Sequence, residues 1–289
     1  MNGPAIQSRE VTVIVVTFNS AHCISRLAKG LGEWPYLIVV DNGSDDDTVI
    51  QIQQSLPKAK LLALGKNYGF GYANNRGMEA VATPYALLLN PDCEITEAQI
   101  HAMTKLAGDW PSLGILGPQL QRESGVPEVN YRMGFTDWPG KTPAATGPLC
   151  VGFLCGAVML TDKAAFDSIG GFDERFFLYY EDDDLCLRMR QAGYTLVLDP
   201  SIAIEHRSRG SVKTKNRWEG EFVRGYHHVQ SKLTFMTIHM NRERALKSRR
   251  KLLLLTGLAL PLRMLAFSPR LLVRMWGRWR GLWDWNFQE

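Results

Sequence analysis

The sequence predicts an α/β fold, a parallel sheet covered by helices, followed by a C-terminal helical, amphipathic extension. Three observations carry this expectation. Short runs of β-branched and apolar residues, such as Val11–Val16 and Leu37–Val40, do not alternate with polar ones, which suits strands buried on both faces. Helix-length segments separate those runs, giving a β-α-β-α-β order. After about residue 215 the strand-like runs stop and long helical patterns take over.

Val11–Val16 is the first strand, and Ser20 is placed to cap a helix over 21–30. Leu37–Val40 is the second strand and ends at Asp41. Ser44 with Asp47 resembles a capping box for a helix through about 55. Lys60–Leu64 is a third strand. Residues 65–77, GKNYGFGYANNRG, read as a loop running into a helix around 74–82, and Tyr85–Leu89 is a fourth strand ending at Asn90-Pro91-Asp92. Residues 108–150 are rich in Gly and Pro and are expected to be irregular. Gly152–Leu160 is a further strand, Asp184–Ala192 a helix, and Tyr194–Leu198 and Ile202–Ile204 two short strands.

In the last quarter, 221–239 reads as a helix. Leu252–Leu262 is apolar but about half the ~20 residues a membrane span requires, and Pro261 and Arg263 interrupt it. Leu272, Met275, Trp276, Trp279, Leu282 and Trp283 then repeat at helical spacing, with Arg270, Arg274 and Arg278 on another face. Such a helix is suited to lying in a lipid interface. Its plainer role is to pack on the preceding α/β region or on a second subunit. Two regions are therefore expected, 1–215 and 216–289.

Composition agrees with a globular chain: 289 residues, 45% hydrophobic, 21% charged. The net charge of +4 conceals an asymmetry, because residues 241–289 hold 11 Lys/Arg against 3 Asp/Glu. A basic tail on an acidic body points to an anionic surface. The tail tryptophans favour lipid over nucleic acid. The five cysteines are scattered with no CxxC pair or Cys/His cluster, so neither zinc nor a disulfide framework is expected. No basic segment followed by a long apolar one opens the chain, so no secretory leader is expected.

The densest chemistry is Phe176–Arg188, FFLYYEDDDLCLR, where Glu181, Asp182, Asp183 and Asp184 follow an aromatic run. Adjacent carboxylates raise one another's pKa unless cations or donors intervene. Asp184 is spaced to pair with Arg188, and Asp183 is expected to face solvent. Asp182 is the candidate general base, with Glu181 in support. Asp92, at a strand end beside a proline, is a candidate ligand for a hard cation. Asp41 and Asp92 share the carboxyl edge of the expected sheet, where ligands sit. Asp41 is read as a nucleotide contact or as a turn residue, and Lys66, Asn67 and Arg76 offer donors from the glycine-rich loop. His206 stands near even between a structural role and metal or diphosphate contact, with Arg207, Arg209, Ser211 and Lys213 behind it.

Together the stretches VTVIVVTFNS, VVDNGSDDDT, GKNYGFGYANNRGM, LLLNPDCEI, GGFDERFFLYYEDDDLCLR and GYTLVLDPSIAIEHRSRGS, over residues 11–211, resemble the inverting family 2 glycosyltransferases, particularly their bacterial rhamnosyltransferase-like branch. The resemblance implies a GT-A fold, Rossmann-like with a mostly parallel sheet, and transfer of a sugar from a dTDP- or UDP-sugar to a hydroxyl of a glycan or polyprenyl-linked acceptor. It implies that Thr17, Asn19, Asp41, Asn67, Arg76 and Asn90 hold the nucleotide-sugar. Asp92 and His206 would hold Mg²⁺ or Mn²⁺, and Asp182 would be the base. Asn90 stands where the family's DxD motif has its first acid, which lowers the expected metal affinity. A location on the inner face of the cytoplasmic membrane, reached through 250–285, follows. The rivals are a non-catalytic carbohydrate- or nucleotide-binding module, which detectable turnover would reject, and a sugar-nucleotide pyrophosphorylase, which usually shows a Gly-rich loop with Arg directly after the first strand. A dinucleotide oxidoreductase lacks its GxGxxG.

Overall fold

In the computed structural model, residues 10–134, 144–207, 210–213, 216–265 and 268–287 are described. Arg209 and the expected boundary at 215 fall outside them. The chain divides into two compact units, one of Met1–Phe172 with Asp182–Lys213, the other of Asp173–Glu181 with Thr214–Glu289.

The first unit opens with β1 (Val11–Thr17), α1 (Ala21–Leu31), β2 (Leu37–Asp41), α2 (Thr48–Ser55), β3 (Lys60–Ala63), α3 (Phe70–Met78) and β4 (Tyr85–Leu89). It continues with β5 (Cys93–Glu94), α4 (Glu97–Ala107), β6 (Leu113–Gln121), β7 (Tyr131–Arg132), β8 (Leu149–Cys150), β9 (Phe153–Leu154) and β10 (Val158–Asp162). It closes with α5 (Lys163–Ser168), α6 (Glu181–Gln191), whose first residue packs with the second unit, and β11 (Thr195–His206). Among the described residues nine strands form one sheet, in the order β3-β2-β1-β4-β10-β6-β11-β5, with β8 also on β11. β3, β2, β1 and β4 run parallel, as do β6 and β11, and β10 is antiparallel between the two blocks.

The unbroken apolar strands are explained by burial on both sides. Val11, Val13 and Val15 of β1 point into one core, with Val39 and Leu87. Ile14 and Val16 point into the other, with Val40 and Leu88. The register sets Thr17 beside Asp41, so β1 and β2 end together.

Several local expectations are corrected. Ser20 stands at the N-cap of α1 but its side chain makes no capping bond, and the N-cap of α2 is Asp47 rather than Ser44. Ser20 Oγ donates to the Ser211 carbonyl at 2.7 Å, and Ser44 Oγ donates to Asp41. The helix expected at 74–82 begins at Phe70, directly after Gly69. Its glycines allow close packing, for a Cβ on Gly77 would lie 2.6 Å from Ile14 Cγ2. Residues 113–121, expected to be irregular, are a nine-residue buried strand. Its glycines lie under neighbours: a Cβ on Gly117 would meet Leu154 Cδ2 at 2.8 Å. Residues 152–160 split into β9 and β10, while the two strands expected at 194–198 and 202–204 are one, Thr195–His206, with a register irregularity between Asp199 and Ala203.

The second unit contains α7 (Arg217–His239), α8 (Arg242–Leu265) and α9 (Pro269–Asp284). α8 continues through Pro261 rather than ending there. α9 is seated on α7 through glycines: Cβ atoms on Gly225, Gly277 and Gly281 would lie 2.0, 2.2 and 2.6 Å from the carbonyl oxygens of Arg274, Phe222 and Tyr226. Arg270 and Arg274 pair with Glu221 of α7, at 2.8 and 3.6 Å. Part of the face expected to meet lipid is therefore an internal helix seam. The aromatic run before α6 also belongs to this unit. Phe177 stacks on His227 at 4.2 Å, and Tyr179 and Tyr180 meet His228 edge-on at 5.5 and 5.6 Å. Both tyrosines are left-handed, at φ 69° and 67°, a conformation that costs a non-glycine residue about 1–2 kcal/mol.

Candidate active site

The carboxyl edges of β1, β2 and β4 carry the first group of predicted residues. Asp41 is almost wholly buried. Its Oδ1 accepts from Thr17 Oγ1 at 3.2 Å and Ser44 Oγ at 2.5 Å, and its Oδ2 accepts from the Gly43 and Ser44 amides at 3.2 and 3.0 Å. This carboxylate clamps the turn that follows β2. Gly43 is required there: its φ is +81°, and a Cβ would lie 2.4 Å from Lys66 Cα. Asn19, also left-handed at φ 51°, accepts from the Asp45 amide at 2.9 Å through Oδ1. Asn67 Oδ1 accepts from the Gly69 amide and from Asn42 Nδ2, both at 3.0 Å, which fixes the glycine-rich loop over the turn. Arg76 is turned to its own helix, 3.1 Å from Glu79 and over the Tyr72 ring. The Asn90 amide donates to the Ala157 carbonyl at 2.8 Å, holding the β4 turn against the start of β10.

The second group is the predicted cation site, and the structure brings its two residues together. Asp92 and His206 are 114 positions apart, yet Asp92 Oδ1 lies 3.9 Å from His206 Nε2. Pairing of β5 with β11 does this, with His206 opposite Cys93 in the register. Asp92 Oδ2 accepts from the Gly210 amide at 3.0 Å, while the buried Oδ1 has no hydrogen-bond partner among the described residues. Burial raises the Asp92 pKa, and His206 opposes that rise. Glu128 Oε2 lies 3.1 Å from His206 Nδ1, an arrangement that turns Nε2 toward Asp92. An orphaned buried carboxylate oxygen beside an oriented imidazole fits a divalent cation. Cys93 joins the same cluster, its sulfur within 4.8 Å of the other two donor atoms. The sequence shows no Cys/His cluster that suggests zinc, and this grouping arises in space instead. Cross-strand pairing assembles the group, so no local spacing announces it.

The third group is the acidic run. Asp182 is partly open to solvent. Its Oδ2 accepts from the Gly156 amide at 3.2 Å and its Oδ1 from the Asp183 amide at 3.0 Å. Desolvation raises its pKa to about 7, with the Asp183 charge adding to the rise. Asp183 does not face solvent as expected but pairs with Arg132, whose guanidinium lies 3.8 Å from the Phe153 ring centroid. Asp184 pairs with Arg188 at 2.5 Å, as the spacing predicts, and Arg188 also donates to the Ile169 and Gly171 carbonyls. Each of the three aspartates thus has a separate environment, and Asp182 alone has neither an ion pair nor full burial. Glu181 opens the helix and is buried, its packing belonging to the second unit.

Arg132, Glu128 and Cys93 were not singled out from the sequence as site residues. The first two sit in a stretch read as irregular and reach partners 51 and 78 positions away. The charged character of Arg132 and Glu128 was the one visible signal.

Comparison with known proteins agrees with this architecture. Residues 12–170 match glycosyl transferase family 2, and residues 149–210 match a family described as the N-terminal domain of galactosyltransferase. An N-acetylglucosaminyl-diphospho-decaprenol L-rhamnosyltransferase of Mycobacterium tuberculosis is 30% identical over 229 residues, covering 67% of this chain and 75% of its own. The rhamnosyltransferase WbbL of Escherichia coli is 26% identical over 68% of this chain and 83% of its own. Among solved structures, a mannosyltransferase of Pyrobaculum calidifontis in complex with GDP-Man and Mn²⁺ superposes with a TM-score of 0.58. It covers 95% of this chain and 87% of its own at 16% identity, a likeness of fold.

Proposed function

The chain belongs to glycosyl transferase family 2 and is a glycosyltransferase, and we propose that it transfers a sugar, L-rhamnose by its relatives, with inversion to a hydroxyl of a lipid-linked glycan acceptor. The observation that carries this reading is Asp182: a largely buried carboxylate held by the Gly156 amide and raised to about 7, which suits a base working near neutrality.

Thr17, Asn19 and Asp41 bind the dTDP- or UDP-sugar at the strand edge, with Asn67, Arg76 and Asn90 around it. Asp182 accepts the proton of the acceptor hydroxyl as that oxygen attacks C1 from the face opposite the diphosphate. Glu181 supports the base from the first position of the helix. Asp92 and His206 would hold Mg²⁺ or Mn²⁺, and the cation would supply charge stabilisation to the diphosphate leaving group. Glu128 keeps His206 aimed, and Arg132 neutralises Asp183 beside the base.

The second unit meets the acceptor's membrane. Among the described residues no helix is long and apolar enough to cross one. α8 instead exposes Leu254, Leu258 and Met264, at 65%, 64% and 66%, on a helix whose first half also exposes Arg244, Lys247, Arg250 and Lys251. Trp276, Trp279 and Trp283 stack in a ladder along α9, and the first and last are at least half exposed. Basic and interfacial aromatic groups beside bare leucines suit the inner face of a cytoplasmic membrane carrying anionic lipid.

Nucleotide diphosphate release from a panel of UDP-, dTDP- and GDP-sugars, with Mn²⁺, Mg²⁺ or EDTA and with lipid-linked acceptor extract, tests the reading. One donor should turn over, dependent on metal and acceptor. Asp182→Asn should abolish transfer and leave donor binding intact. Undiminished turnover in that variant sinks the assignment of the base.

A further inference from the structure

The cation site contains one donor that a Mg²⁺ or Mn²⁺ site does not need. Cys93 and His206 are direct cross-strand partners in the β5–β11 pair, so their side chains share a face of the sheet. The sulfur, an Asp92 oxygen and a His206 nitrogen all lie within 4.8 Å of one another. Asp92, only 5% exposed, points into this group an oxygen that has no hydrogen-bond partner among the described residues. The sulfur donates a weak bond to the Ala157 carbonyl at 3.7 Å.

Hard cations ignore sulfur, and thiophilic ones seek it. Zinc takes sulfur at about 2.3 Å and nitrogen or oxygen at about 2.0–2.2 Å, almost always in a tetrahedron. Donor atoms of such a tetrahedron stand about 3.5 Å apart, so a contraction of roughly 1 Å closes the set. Three protein donors leave a tetrahedral ion one open position, whereas an ion that chelates a diphosphate needs two.

We propose that Asp92, Cys93 and His206 form a three-donor site that binds Zn²⁺ in preference to Mg²⁺ and Mn²⁺, and that Zn²⁺ held there switches the transferase off. The proposal rests on the reading of Asp92 and His206 as the cation site. On binding, the ion forms a bond to the Cys93 sulfur, the thiol S–H bond breaks and its proton leaves to solvent. The Ala157 carbonyl loses its weak donor. Mn²⁺ in excess restores turnover by displacing Zn²⁺.

Full-length protein stripped with EDTA is titrated with Co²⁺, whose absorption reports its ligands. Wild-type protein should show a near-ultraviolet sulfur-to-cobalt charge-transfer band that Zn²⁺ abolishes by displacement. Cys93→Ala should lose that band while still binding Co²⁺, and should weaken Zn²⁺ binding by at least the ~10–100-fold that loss of an outer partner costs. Its turnover with Mn²⁺ should resist Zn²⁺ to the same degree. Cys93→Ser, nearly isosteric, repeats the measurement if the alanine variant fails to fold, and Cys155→Ser should keep the band. Co²⁺ bound by wild-type protein without a sulfur band overturns the proposal and spares the hard-cation reading. No Co²⁺ binding at all overturns both.

Discussion

Arg132→Gln tests whether the acidic run works as three separated carboxylates. In the wild type the guanidinium pairs with Asp183 and opposes the desolvation that raises both Asp182 and Asp183. Glutamine keeps much of the stem over Phe153 but removes the charge, leaving Asp183 bare beside the base. A neighbouring cation lowers a carboxyl by about 1–3 units, so losing Arg132 raises Asp182 from its value of about 7 by about one unit at the lower bound. At pH 7 its ionised fraction then falls from about one half to about one tenth, a fivefold loss in kcat/KM, or about 1 kcal/mol. The assay is kcat/KM from about two pH units below neutrality to two above, with the donor that turns over. The acid limb should move up by one unit or more and activity should recover at high pH. Because the two aspartates titrate together, the limb reports the pair, and removing a cation moves it in one direction only. Arg132→Lys should hold the limb near its wild-type position. An unmoved limb in Arg132→Gln, with binding intact, refutes the argument.

Gly277→Ala places a methyl group 2.2 Å from the Phe222 carbonyl oxygen. Separating α7 from α9 should cost about 1–3 kcal/mol, read as a lower melting temperature, and an unchanged one would contradict the seam. Burial holds His227 and His228 near pKa 4 in the fold, against 6.5 for a free ring. The unfolded chain therefore binds their protons first, so the stability they give is present above pH 6.5 and lost as pH falls toward 4. Melts of the His227→Gln/His228→Gln double variant should show a shallower acid slope, and a slope equal to wild type would count against buried neutral rings. Leu254→Glu with Leu258→Glu should cut flotation with anionic liposomes several-fold without changing donor hydrolysis, and equal flotation would exclude α8 as the docking element.

The sequence by itself determined what depends on local pattern. Strands buried on both faces need unbroken apolar runs, so β1, β2 and β4 were legible to within a residue. The strand-end positions of Asp41 and Asp92 followed, as did the pairing of Asp184 with Arg188 one helical turn on. Motif order brought the family within reach. Features that depend on distant neighbours appeared with the folded chain. β6 was hidden because its glycines are there for Leu154 and Tyr194, which pack over it from elsewhere in the chain. The Trp/Arg pattern of α9 was visible, yet the glycines that commit part of its face to α7 have meaning only opposite Phe222 and Tyr226. Arg132 and Glu128 became site residues through bonds spanning 51 and 78 positions. Cys93 met His206 by strand register alone. Hydrophobic periodicity is written along the chain, but a pKa or a ligand set depends on which groups converge in space, and sheet order sets that convergence.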